Sequence, residues 1–244
     1  MRSRLGVHVD HVIRLRRMAR GQRPDPVDVA LAAERAGAES IVLRLDAEAS
    51  RDAHVLRQVV EAKLTVRMEP IKETLGLALE LRPDRVVFVP DLRDRLSGDA
   101  LGLDLLQSRE AVQRSAPILK EAGIDVGVRV EPEIELVRSA HKAGADFVDL
   151  NTTRYEEARH LAERSEALAR LRDAAKTAKK LGLWVVAGDG LGYGDVPPVG
   201  RIAEIGQVDV GHAVVARALL VGFEQACRDM VDLLRDARID LLRS

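Results

Sequence analysis

Short apolar runs and longer stretches of helical periodicity alternate along this chain from end to end. The runs Leu5–Val9, Ser40–Leu45, Leu64–Met68, Arg85–Val89, Val126–Val130, Phe147–Asn151, Leu183–Ala187 and Val208–Val210 are rich in Val, Ile and Leu. Such nearly continuous runs suit strands covered on both faces. Between them, apolar residues recur at helical spacing. Asp25 caps and Pro26 opens a helix to about Ala36, a start that uses a proline whose missing N–H costs nothing there. Further helices are predicted over Asp52–Ala62, Ile71–Leu81, Asp104–Ala122 with a kink at Pro117, Pro132–Ala143, Tyr155–Leu181, and Ala213 to about Ala237. The stretch IRLRRMARGQRPDP, residues 13–26, reads as an arginine-rich loop leading into the helix at Pro26, and residues 90–102 as a charged loop long enough to act as a lid.

The joint from helix to strand recurs as ERAGAES, KEAGIDV, HKAGADF and KKLGLWV. Glycine there supplies the left-handed position that stops each helix, and the next apolar run follows within about two residues. Repeated βα units with short joints predict an α/β fold, a (β/α)8 TIM barrel forming a single domain over residues 1–244, with the closing helix at about 213–237.

Polar residues interrupt this pattern mainly at one end of the strands. Arg44, Arg67, Glu69, Arg129, Glu131, Asn151 and Asp189 lie at or beyond the C-terminal ends, as do His8, Asp10 and His11 after the first strand, whereas the starts Ile41, Leu64, Val86 and Val126 are apolar. Barrel active sites occupy that C-terminal face. Alternation points Arg67 with Glu69, and Arg129 with Glu131, the same way. Turned inward, they form mixed-sign pairs that either close the barrel top as a self-satisfied network or receive a polyanionic or zwitterionic ligand.

The last two strand ends carry glycine. Gly188 and Gly190 follow one, Gly211 and His212 the other, and a helical pattern opens at Ala213. Glycine lets backbone N–H groups approach a ligand, and a helix start adds the positive end of its dipole, so the pair reads as a phosphate cradle. The arginines of residues 13–26 read either as a solvated face or as an anion clamp, with Arg20 the candidate. Glu69, Asp189, Glu131, Arg44 and Arg67 are the candidates for catalysis. His8, Asp10, His11, Arg20, Arg129, Asn151, Gly188, Gly190, Gly211 and His212 are the candidates for substrate and phosphate binding. Tyr155 and Tyr193 are placed to reach the mouth, and Trp184 to pack.

Composition narrows the partners. With 38 basic against 39 acidic residues the net charge is -1, so the chain has no basic field for nucleic acid or an anionic membrane surface. Aromatics at 2% leave few platforms for stacking bases. The expected partner is a phosphorylated small molecule. One cysteine, Cys227, rules out an internal disulfide and fits a reducing, cytoplasmic setting. No metal ligand set and no cofactor are expected.

GVHVDH with ARG and PDPV near the start, AGDGLGY after the seventh strand and VGHAVVARA after the eighth together resemble the pyridoxine 5′-phosphate synthase family. The resemblance runs over nearly the full length. It implies a (β/α)8 barrel, assembly as an octamer, and condensation of 3-amino-2-oxopropyl phosphate with 1-deoxy-D-xylulose 5-phosphate without a metal. It also implies that Asp10, His11 and Arg20 bind substrate, and that Gly188, Gly190, Gly211 and His212 hold phosphate.

Four positions depart from the family. His8 stands where the family has asparagine, Arg44 where it has a general-base histidine, Arg67 where it has glutamate, and Asp189 where it has histidine; RLDAEASRD replaces its HLRxDRRH run. Ring closure needs groups that exchange protons near neutrality. Arginine, with a pKa above about 12, is not one. Proton transfer is therefore expected from Glu69 first, or from Glu131, Asp189, His8 or His212, and a changed substrate or a non-catalytic binding barrel stands as the alternative.

Overall fold

The computed structural model describes residues 3–90 and 102–243, side chains to residue 239. In chain order it runs β1 (Arg4–His8), α1 (Asp10–Met18), α2 (Pro26–Arg35), β2 (Ser40–Arg44), α3 (Ser50–Val59), β3 (Lys63–Met68), α4 (Lys72–Leu81), β4 (Arg85–Phe88) and α5 (Arg109–Glu121). It continues through β5 (Asp125–Val130), α6 (Ile134–Lys142), β6 (Phe147–Asn151), α7 (Thr153–Glu157), α8 (Leu161–Lys180), β7 (Trp184–Gly188), α9 (Val196–Gly200), β8 (Gln207–Val210), α10 (His212–Val221) and α11 (Phe223–Arg243). All strands are parallel, and β8 pairs with β1 to close the barrel. The expected architecture is present. The proposed lid, residues 90–102, falls almost wholly outside the described residues.

Strand alternation separates two apolar layers. One face of each strand packs with the helices into a large outer core that includes Leu5, Ile41, Leu43, Val66 and Val126. The other face fills the barrel interior, where Val87, Val89, Phe147, Val186 and Trp184 form a small cluster of their own. The joint glycines Gly37, Gly123, Gly144 and Gly182 all adopt positive φ, as the helix-stopping role requires.

The interior cluster depends on glycine in β5. A Cβ on Gly127 would lie 2.2 Å from the Phe147 ring, which is itself edge-on to Trp184. The Arg85 guanidinium lies over both rings. Gly127→Ala is therefore expected to cost about 1–3 kcal/mol, the usual penalty of overpacking, read as a lower urea midpoint with unchanged circular dichroism.

Four boundaries differ from expectation. The helix expected from Asp104 begins at Arg109, since the Asp104 carboxylate takes the Leu106 amide in a turn before it. Residues 10–18 are helix, not loop: Val12 and Ile13 are buried, while Arg16 and Arg17 pair with Asp52 and Glu48. The arginines that gave the segment a loop-like composition are thus satisfied by acids beyond β2. The long helix expected over 155–181 is two helices with an extended link at Ala158 and His160. Tyr155 is buried, with the Arg164 guanidinium over its ring and bonded to its hydroxyl. The closing helix is likewise two, broken at Gly222 with φ 85.

Candidate active site

Inward-facing residues at the C-terminal half of the barrel build a charged layer on top of the apolar cluster. Its centre is Arg129 on β5, 1% exposed. The Arg129 Nη2 contacts Asp189 Oδ2 at 2.5 Å and donates to Asn151 Oδ1 at 3.1 Å, and its Nη1 lies 3.5 Å from Asp149 Oδ2. Arg67 Nη1 donates to the other Asp189 oxygen at 3.1 Å. Asp189 therefore joins guanidinium groups from β3 and β5 although it follows β7. It does so at φ 88, a conformation that costs a non-glycine residue of order 1–3 kcal/mol and that two ion pairs maintain.

Three further carboxylates are occupied around this layer. Glu69 Oε1 accepts from Arg44 Nη2 at 2.8 Å. Glu131 Oε1 accepts from Asn151 Nδ2 at 2.6 Å and from the Gly102 amide at 3.0 Å. Asp10 takes the Arg44 amide at 2.7 Å on one oxygen and faces His8 Nδ1 at 3.3 Å with the other.

Above this layer opens a cavity of about 360 Å³. His8, Asp10, His11, Arg44, Arg67, Asp189, Gly190, Gly211 and His212 line it, as do Arg14, Glu156, Glu157 and Asp209. One wall is the start of α10. Gly211 caps it with no side-chain hydrogen bond, so the first amides of the helix have neither intrahelical carbonyls nor a capping oxygen. A Cβ on Gly211 would lie 2.9 Å from the His11 ring and 3.0 Å from His8 Cβ. Glycine is what lets the helix start against these two side chains. The loop at Gly190, φ 77, lines the same cavity. A helix N-terminus without a capping side chain favours an oxyanion.

The expected site residues thus separate into two groups. Ten of the fifteen candidates are accounted for at the cavity or its rim: the nine named above line it, and Glu69 holds the lining residue Arg44. Arg129, Glu131 and Asn151 lie buried beneath, bound to one another and to Asp149 or Asp189. Gly188 is in β7 with Asp209 packed where its side chain would be. Arg20 is exposed after α1 and is not in the lining, and Arg14 on α1 is the arginine of that segment that reaches the cavity. Neither tyrosine faces the mouth: Tyr155 bonds Arg164, and Tyr193 donates to the Ala226 carbonyl at 2.7 Å. Trp184 packs in the barrel interior.

Burial controls the titration of this layer. It pushes the Asp149 and Asp209 carboxyls up from 3.8 to about 6. For His8, burial favours the neutral ring, but the hydrogen bond and charge of Asp10 raise its pKa above the ordinary value. Burial and the neighbouring His8, Arg14 and His212 hold His11 down. Burial opposes the ionised Asp10, yet its bonds to His8 and Arg44 carry it below the usual range.

The raised carboxyls have a consequence for stability. Between 3.8 and about 6 the folded chain holds protons that the unfolded chain has released. Stability contributed by these two groups therefore falls as pH rises through that window. Asp149→Asn removes one of them and is expected to gain about 1–3 kcal/mol relative to the parent on moving from below pH 4 to above pH 6. Urea midpoints at the two pH values check this; parallel curves would refute it.

The fold is a (β/α)8 barrel, and its mixed-sign cavity opens at the C-terminal strand ends beside the start of α10, the face on which such barrels carry their active sites. The family model described as pyridoxal phosphate biosynthesis protein PdxJ matches residues 5–236. The chain is similar to the pyridoxine 5′-phosphate synthases of Trichlorobacter lovleyi, 38% identical over 96% of this chain and 99% of that one, and of Syntrophobacter fumaroxidans, 39% identical over 95% and 99%. Among solved structures, a 4-hydroxy-2-oxoglutarate aldolase superposes with a TM-score of 0.65 at 16% identity, covering 96% of this chain and 95% of that one, a likeness of fold alone. The chain belongs to the PdxJ family.

Proposed function

We propose that this protein is a pyridoxine 5′-phosphate synthase, condensing 3-amino-2-oxopropyl phosphate with 1-deoxy-D-xylulose 5-phosphate. Family membership over nearly the whole chain supports the reaction, and one observation carries the placement of the substrates. The start of α10, Gly211 to Ala213, which has no side-chain cap, and the Gly190 loop open on the same cavity as Arg44 and Arg67. A phosphate on those amides leaves the rest of the substrate facing two guanidinium groups.

In this reading Arg44 and Arg67 hold carboxylate, carbonyl or phosphate oxygens, and His8, Asp10, His11 and His212 contact the substrates. Asp189 fixes Arg67, and Glu69 fixes Arg44. Glu131, Arg129 and Asn151 stiffen the layer beneath. The cytoplasm suits the buried Cys227 thiol, and a homo-oligomer suits the exposed Leu219 and Leu220 on α10. No described helix is long and apolar enough to cross a membrane.

A second reading, a diverged paralogue with another phosphorylated substrate, is favoured by the arginines at positions 44 and 67, which cannot exchange protons near neutrality. Mixing the purified chain with both substrates and following pyridoxine 5′-phosphate separates the two. Glu69→Gln divides the roles of that residue. Loss of its charge from beside Arg44 is expected to raise KM about tenfold with kcat nearly unchanged, as removal of a binding interaction does. A hundredfold fall in kcat at constant KM would mark Glu69 as the base instead.

A further inference from the structure

The cavity lining contains five carboxylates: Asp10, Glu156, Glu157, Asp189 and Asp209. Glu156 and Glu157 are exposed, Asp10 is engaged by the Arg44 amide and His8, and Asp189 by two guanidinium groups. Asp209 differs from all of them. It is 5% exposed and, among the described residues, has no ion pair. Its Oδ1 accepts from Gln207 Nε2 at 2.6 Å, and Gln207 Oε1 in turn accepts from Arg85 Nη1 at 3.2 Å. Gln207 and Asp209 are two residues apart on β8, both turned into the barrel.

Space for this carboxylate is made by a glycine. Gly6 pairs in register with Asp209, and a Cβ there would lie 2.0 Å from Asp209 Oδ1. One inward step above Gly6 is His8, which also lines the cavity and is held at Nδ1 by Asp10. The strand pair β1–β8 thus presents an aspartate and, diagonally one inward step further along β1, an imidazole, both in the cavity lining. His8 also lies against Gly211 at the start of α10.

We propose that Asp209 is a catalytic residue, the general base of this site, with His8 as its acid partner. The proposal rests on the synthase reading given above. In a dehydration step of ring formation, Asp209 takes a proton from a carbon of the bound adduct, and the C–H pair forms the new double bond. The C–O pair leaves on oxygen, which receives the His8 proton and departs as water. Asp209 then holds a proton and His8 is neutral, and transfer from one to the other restores both.

The charges facing Asp209 support this assignment. His8 on β1, Arg67 on β3, Arg85 on β4 and Asp149 on β6 act on it, along with the Gln207 bond on its own strand. Burial and Asp149 raise its carboxyl to about 6, against His8 and Arg67. Near neutrality Asp209 is mostly ionised, and the hydrogen bond and charge of Asp10 bias His8 toward its protonated form. A carboxylate able to accept a proton and an imidazole biased to hold one thus line the same cavity.

The test combines pH profiles with proton exchange. For the parent protein, kcat/KM for the two phosphorylated substrates should fall on the acid side with an apparent pKa near 6. Asp209→Asn, which keeps the volume and a hydrogen bond to Gln207, should lose at least a hundredfold in kcat with KM within threefold, and lose that acid limb. Its thermal midpoint above pH 6 should be no lower than that of the parent, since a buried carboxylate has been removed, and its affinity for inorganic phosphate should equal the parental value, which together exclude misfolding. An Asp209→Asn protein with parental kcat and acid limb overturns the proposal while leaving the synthase reading intact. If the parent forms no pyridoxine 5′-phosphate, the synthase reading fails. Incorporation of solvent deuterium into either substrate then decides: exchange abolished in Asp209→Asn sustains the base, and exchange unaffected or absent in the parent overturns it.

Discussion

Replacing Arg129 by methionine is expected to destabilise the protein by about 3–5 kcal/mol, the cost of stripping one partner from a buried ion network. The size follows from what remains. Methionine fills much of the space but leaves Asp149 and the Asp189 oxygen that faced Nη2 without their cation, in the interior of a closed barrel. For a chain of this length that loss corresponds to a drop in Tm of roughly 10 °C. Adding Asp149→Asn and Asp189→Asn to Arg129→Met should return a substantial part of it, because the orphaned charges are the source. If the triple variant is no more stable than the single one, the loss comes from packing and not from charge.

Replacing Gly211 by leucine is expected to reduce kcat/KM by about 10²–10⁴-fold, with inorganic phosphate binding lost in parallel. Two charge-assisted hydrogen bonds from helix-start amides, at about 1.5–3 kcal/mol each, supply that factor. The side chain enters where the His11 ring and His8 Cβ already stand at 2.9 and 3.0 Å, and covers the start of α10. Phosphate affinity by calorimetry checks the mechanism. Weakened turnover with parental phosphate affinity would place the phosphate elsewhere.

Much of this was legible in the sequence, for reasons that can be named. The eight strands were visible because parallel strands covered on both faces read as continuous apolar runs, and the helix ends because Gly37, Gly123, Gly144 and Gly182 occupy left-handed positions. Gly190 and Gly211, which the sequence suggests as a phosphate cradle, are glycines their surroundings require, one at φ 77 and the other against His11 and His8. What composition concealed was α1. Its arginines look like a loop until their acidic partners Asp52 and Glu48, some 30 residues on, are brought beside them.

The charged layer was half legible. Arg67 and Arg129 announced themselves as cations at strand ends, but nothing local shows that Asp189 bridges them, since that bond spans β3, β5 and the end of β7. Asp149 and Asp209 were overlooked although the signal existed. Each sits in an apolar run, in FVDLN and QVDVG, at the inward parity set by Asn151 and Gly211. Attention to strand ends passes over the residue one inward step earlier, where burial has its largest effect on a carboxyl.

The most direct measurement of the central claim is a crystal structure of the chain with 3-amino-2-oxopropyl phosphate bound. The account predicts the phosphate within hydrogen-bond distance of the His212 and Ala213 amides and the Gly190 loop, with the amino ketone directed toward Arg44, Arg67 and Asp209. A phosphate bound away from the start of α10, or a ligand that leaves both guanidinium groups facing solvent, would contradict it.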